Sequence, residues 1–155
     1  MFGLIAGIVA GGAFVGFNIW EKMKFTKMNN LLKEQYKFVQ MIDSSKNAVL
    51  FNALMAGIAV ALGVINVDDL TNIGISIALI SAFFGNILAA KTHRQVLFFE
   101  KGFSLDGVYT RFKSIQSITP IKKGKQYKVL LLNQNSVVLD KAAVAVLEEL
   151  RKKKG

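Results

Sequence analysis

Residues 48–66, AVLFNALMAGIAVALGVIN, and 72–90, NIGISIALISAFFGNILAA, are each nineteen residues long and carry no charge. At about 1.5 Å per residue, either run crosses most of a hydrocarbon core roughly 30 Å thick. Between them lies Val67-Asp68-Asp69-Leu70-Thr71. Two adjacent carboxylates are too costly to bury in lipid, so this connector is a turn at one membrane face. The stretch predicts an antiparallel transmembrane hairpin.

A third uncharged run, residues 1–20, precedes the hairpin. A cleaved secretory signal requires a basic segment before the apolar core and small residues at a cleavage site. Here no lysine or arginine comes first, and Trp20-Glu21-Lys22 follows. The run therefore predicts an uncleaved span. The chain reads as an α-helical integral membrane anchor, residues 1–90 with three transmembrane helices, followed by a small α+β module at 91–155.

Glycines recur at four-residue spacing in the first span, as Gly3, Gly7 and Gly11 and again as Gly12 and Gly16. The hairpin runs carry Ala53, Gly57 and Ala61, then Gly74, Ala78 and Ala82, with Ser81, Gly85 and Ala89 as a second row. Small residues four apart share a helix face and admit a neighbouring backbone. They suit packing within this chain's own bundle or contact between copies in a homo-oligomer. Asn18, Asn52 and Asn86 each lie near one end of a span. They can bond one another across the bundle or simply face the interface.

Residues 21–43 carry lysines and no proline or glycine. On a helical wheel Phe25, Met28, Leu31, Leu32, Tyr36, Phe38, Val39 and Ile42 share a broad arc opposite Lys22, Lys33, Lys37 and Gln40. The pattern predicts an amphipathic cytoplasmic helix, either lying on the lipid surface or, as its wide aromatic arc favours, docked on the module. Segment 21–47 holds six lysines and the 67–71 turn holds no basic residue. Basic short loops stay inside, so the amino terminus and the Asp68-Asp69 turn are expected outside and the tail inside a cell membrane. Lys91, His93 and Arg94 agree, and Lys22, Lys33, Lys37, Lys91 and Arg94 are the candidates for anionic head-group contact.

After Arg94 the period shortens. Gln95–Glu100, Phe103–Leu105, Val108–Phe112, the Ile115 to Ile118 stretch, Gln126–Leu132 and Val137–Leu139 alternate with turns at Lys101-Gly102, Asp106-Gly107, Lys122–Lys125 and Asn133–Ser136. Asp140 can cap a final helix whose Ala143, Val146, Leu147 and Leu150 share a face, with Arg151–Lys154 at its negative end. Four or five antiparallel strands closed by a helix are expected.

Within this tail Phe98, Phe99, Glu100, Gly102, Phe103, Tyr109, Arg111, Phe112, Ser114 and Ile115 form the phrase "apolar strand, Glu-x-Gly-Phe, strand, Tyr-x-Arg-Phe-x-Ser-Ile". It resembles the small PH-like domains attached to membrane spans in uncharacterised bacterial proteins, which typically have tryptophan where Phe112 stands. The resemblance implies a reduced PH-like module, or one completed by a second copy. It also implies scaffolding or protein contact rather than a reaction.

Chemistry finds little footing in the inventory. The chain has no cysteine and one histidine, His93, in a basic linker. Asp68 and Asp69 supply too few ligands for a selective cation site. No glycine-rich phosphate loop occurs, and Glu148 and Glu149 fit the exposed side of the last helix. No catalytic, metal or cofactor-binding residue is assigned. The tail holds fourteen Lys or Arg against five Asp or Glu. They are spread over turns rather than interleaved with aromatics on one face, so anionic lipid, not nucleic acid, is the expected partner. The leading expectation is a non-enzymatic membrane adaptor that self-associates or joins a membrane complex. A small oligomeric channel or transport subunit, or an immunity-type protein against membrane-active toxins, are the alternatives.

Overall fold

A computed structural model describes residues 1–153 and resolves two units, residues 1–27 with 45–94 and residues 28–44 with 95 onward. The expected contribution of Lys154 to the last helix end lies outside the described residues.

The first unit is helical. It contains the first part of α1 (Phe2–Gln35), with α2 (Lys46–Ile65) and α3 (Leu70–His93). All three helices are long and apolar enough to cross a membrane. Their apolar side chains are largely exposed, including Leu50, Phe51, Leu54 and Ile58 on α2. Asp69 starts α3 as its N-cap, accepting hydrogen bonds from the Thr71 and Asn72 amides at 2.8 and 3.4 Å. The acidic turn thus has a structural task beyond polarity, because it satisfies helix donors that otherwise lack partners.

The second unit is a β module. Strands β1 (Phe38–Asp43), β2 (Gln95–Phe99), β3 (Gly102–Leu105) and β4 (Val108–Arg111) form a four-stranded antiparallel sheet in that order. Strands β5 (Ile115–Ile121), β6 (Gln126–Leu131) and β7 (Ser136–Asp140) form a three-stranded antiparallel sheet, and α4 (Lys141–Lys152) follows. Asp106-Gly107 links β3 to β4 with both residues at positive φ, 51° and 74°, the geometry that lets a two-residue hairpin follow the twist of its strands. Pro120 sits in β5, an edge strand, where a missing amide donor is tolerated.

Two expectations change here. The amphipathic helix expected over 21–43 ends at Gln35, and residues 38–43 form β1 instead. Phe-Val-Gln-Met-Ile-Asp satisfies a helical arc and a two-residue alternation about equally well, and a short apolar run cannot choose between them. The ladder to β2 decides it, pairing Met41 with Leu97 and Ile42 with Val96. Seven strands replace the expected four or five. Six come from the tail, and β1 reaches the sheet from before the hairpin.

Alternation along β2 and β3 sends Val96, Phe98 and Phe103 to one face of the first sheet. There they join Phe112, Ile115, Val129, Leu131, Leu139 and the α4 residues Ala143, Val144 and Leu147 in a single core. Leu97, Phe99 and Ser104 point to the other face and are equally buried, at 1%, 0% and 0% exposure. The final turns of α1 cover them. A Cβ on Gly107 would lie 2.7 Å from the Met28 methyl, and the Tyr36 ring meets Phe99 edge-on with centroids 6.0 Å apart. Residues 28–36 are therefore docked on the sheet.

Candidate functional site

The expected site residues belong to three settings: the helix seams, the polar end of the helical unit, and the clasp on the β module.

Along α1 the residues that meet α3 are Gly3, Gly7, Gly11, Phe14, Asn18, Glu21 and Phe25. From Gly7 onward they step by four and three, the spacing of a helix-pair seam. Gly3 faces Thr71, Gly7 faces the Gly74 backbone, and Gly11 faces Ser81. Phe14 and Asn18 lie over Gly85, and Glu21 reaches His93. Rising numbers match rising numbers, so α1 and α3 run parallel. A side chain on Gly7 would collide with the Gly74 carbonyl oxygen, and one on Gly74 with that of Gly3. The backbones touch because both positions are glycine.

The other small residues behave differently. Gly12, Gly16 and Gly57 have nothing within 4 Å of a built Cβ, and Ala53 and Ala61 are exposed. On α2 the packed row is instead Ala59 and Gly63, with Ala59 buried and a Gly63 Cβ 3.0 Å from the Ser76 Cβ. Spacing alone marks several equivalent rows on a small-residue helix. Only the partner selects one.

The three asparagines do not form a shared network. Asn18, buried against α3, donates to the Phe14 carbonyl at 2.9 Å, and Asn52 donates to the Ala48 carbonyl at 2.8 Å. Asn86 is exposed. Among the described residues no hydrogen bond joins one of these amides to another. Asn18 and Asn52 each place an amide donor on a carbonyl of their own helix, which weakens the drive to find one another.

At the far end of the α1–α3 seam, His93 Nε2 lies 3.4 Å from Glu21 Oε2, and the Phe25 and His93 rings are 6.4 Å apart. Trp20 stacks obliquely on Phe17 and holds Lys24 over its ring at 5.5 Å. Of the lysine and arginine candidates, Lys22, Lys91 and Arg94 are exposed. Lys33 lies over the Phe38 ring at 4.9 Å, and Lys37 pairs with Glu100 at 2.8 Å. These last two are engaged with the module.

The clasp is centred on Tyr36, stacked on Tyr109 with centroids 3.9 Å apart and planes 8° from parallel. Beside it the Lys37 carbonyl accepts from the Glu100 amide at 3.0 Å. The hydrogen bond to Glu100, together with its charge, holds the Lys37 ammonium above the ordinary lysine value. Burial raises the Tyr109 phenol, the neighbouring Tyr36 adds to the rise, and Arg111 opposes it. Gly102 is the small residue that makes room, since a Cβ there would lie 2.9 Å from the Tyr109 hydroxyl oxygen. A second fastening joins β1 to α4. The Ser44 hydroxyl donates to the Asp140 carboxylate, whose other oxygen caps α4 through the Ala143 amide at 2.8 Å.

Sequence reasoning missed Tyr109, Ser44 and Gly63 in these roles. Their signals are ordinary residue types, and only the fold gives them neighbours. No group of three or more His, Cys, Asp or Glu side chains gathers among the described residues. The described residues offer packing surfaces and charged edges. No family model, no curated protein and no solved structure matches this chain.

Proposed function

We propose that this protein is a membrane-anchored adaptor, with three spans holding a PH-like module at the cytoplasmic face for contact with a second copy or another membrane protein. The observation that carries this reading is connectivity. The chain passes between the helical unit and the β module three times, near residues 27, 44 and 94. A soluble domain on a flexible tether needs one connection, whereas this module is joined to the helical unit by three.

Two antiparallel sheets of four and three strands followed by a carboxy-terminal helix are compatible with the PH-like module that the tail resembles in sequence, and β1 adds a strand from outside the tail. Orientation draws support from the parallel α1–α3 pair, which puts the amino terminus and the Asp68-Asp69 turn at one end of the bundle. Lys22, Lys24, Lys91 and Arg94 collect at the other, the pattern of a cytoplasmic face. Gly12 and Gly16, unused inside the chain, remain open to a neighbouring helix. A conducting role gains nothing from Asn18, Asn52 and Asn86, which share no common polar site.

Affinity recovery of the full chain in mild detergent, with a differently tagged second copy present, tests the adaptor reading. Recovery of the second copy or of a stoichiometric membrane partner is expected. A chain recovered alone, as a monomer, from membranes expressed at native level overturns it.

A further inference from the structure

We infer that the outer edge of strand β1 is a lipid-contacting surface, seated at the boundary between head groups and acyl chains. The inference rests on the membrane reading given above.

Strand β1 is an edge strand, hydrogen-bonded to β2 on one side only. Between Lys37 and Asp43 it carries no charge, and Phe38, Val39 and Met41 are 39%, 42% and 44% exposed. Soluble proteins blunt such edges with charge, proline or bulges, because an apolar edge invites pairing with another chain. Strand β5, an edge of the second sheet, follows that practice, with exposed Gln116, Ser117, Thr119 and Pro120. β1 has a bulge at Val39 but leaves the Val39 and Met41 side chains exposed.

Chain length says what covers them. Asp43 is separated from Lys46, the first residue of α2, by Ser44 and Ser45 alone. Three residue steps reach at most about 11 Å. The same strand end pairs with Gln95, two residues beyond the last residue of α3. Both legs of the hairpin therefore join the Asp43–Gln95 strand end through links of no more than two residues. An apolar strand tethered this closely to two spans gains from partial immersion, as amphipathic interfacial segments do. Lys46, Lys91 and Arg94 flank this point in sequence and suit anionic head groups.

The chain has no cysteine, so single spin labels can be placed without background substitutions. Full-length protein in phosphatidylglycerol-containing nanodiscs, labelled at Met41→Cys or Val39→Cys, is measured by power saturation with oxygen and with a water-soluble nickel chelate. Leu54→Cys on α2 and Val138→Cys on β7 serve as references. Oxygen accessibility several-fold above that of Val138→Cys, with depressed nickel accessibility, is expected at both β1 positions. Water-like values at Met41→Cys and Val39→Cys, with lipid-like values at Leu54→Cys, overturn the inference and leave the membrane anchor standing. Water-like values at Leu54→Cys overturn the anchor itself and the inference with it. Protection from both reagents with dipolar broadening between labels assigns the edge to a second copy and also overturns it.

Discussion

Asp43 and Gln95 face each other as the terminal pair of the β1–β2 ladder, although the whole of α2 and α3 lies between them in the chain. The hairpin is thus an insertion into a β-hairpin connection. Its removal leaves the strand ends adjacent, and its presence makes the sheet close the loop that contains the two helices.

A module lacking the helices should therefore fold in water. A chain starting at Met28, with residues 45–94 replaced by a short Asn-Gly turn, retains β1 in register and the docked end of α1. Dispersed amide resonances without detergent are the expected outcome. A collapsed, poorly dispersed spectrum shows that the helical unit is needed to order the sheet.

Glycine positions on α1 should separate sharply by face. Gly7→Ala forces a methyl onto the Gly74 carbonyl and should destabilise the helical unit by about 1–3 kcal/mol. Gly12→Ala meets nothing and, by replacing a helical glycine, should leave the unit as stable or more stable by up to about 1 kcal/mol. Unfolding of both variants in the same detergent reads the contrast. Equal effects argue against the α1–α3 seam.

The Ser44–Asp140 fastening should couple energetically to the α4 cap. Asp140→Ala removes a cap, at a cost of about 1 kcal/mol, and strands the Ser44 hydroxyl as well. A double-mutant cycle with Ser44→Ala should give a coupling beyond experimental error, measured by denaturant unfolding of the module. Strict additivity assigns Asp140 to capping alone.

Tyrosine ionisation should oppose the clasp in alkali. The Tyr109 phenol titrates above its ordinary value in the fold, mainly because it is partly buried. As pH rises through the tyrosine range near 10, the unfolded chain loses this proton first, so it binds fewer protons than the native state. Stability then falls with rising pH, and it is unaffected by this group below that range. Tyr109→Phe should flatten that part of the stability profile, followed by denaturant midpoints between neutral and alkaline pH.

Much of the helical unit is legible in the residues because the constraint is local. Nineteen uncharged residues, a pair of aspartates and another uncharged run dictate helices and a polar turn whatever surrounds them. The tail turn at Asp106-Gly107 is legible for the same reason, since left-handed backbone favours few residue types. The seam is only half legible. Gly3, Gly7 and Gly11 stand out by spacing, but so do Gly12, Gly16 and Gly57, and spacing does not name a partner.

The sequence by itself determined three long apolar helices, a short acidic turn and a β-rich tail ending in a capped helix, because each depends on composition and period within a few turns. The tertiary structure alone decided that Phe38–Asp43 is a strand, that Gly7 meets Gly74 while Gly57 meets nothing, and that Tyr36 closes on Tyr109. Those outcomes depend on pairing and packing between residues far apart in the chain, and such free energy has no signature in any one segment.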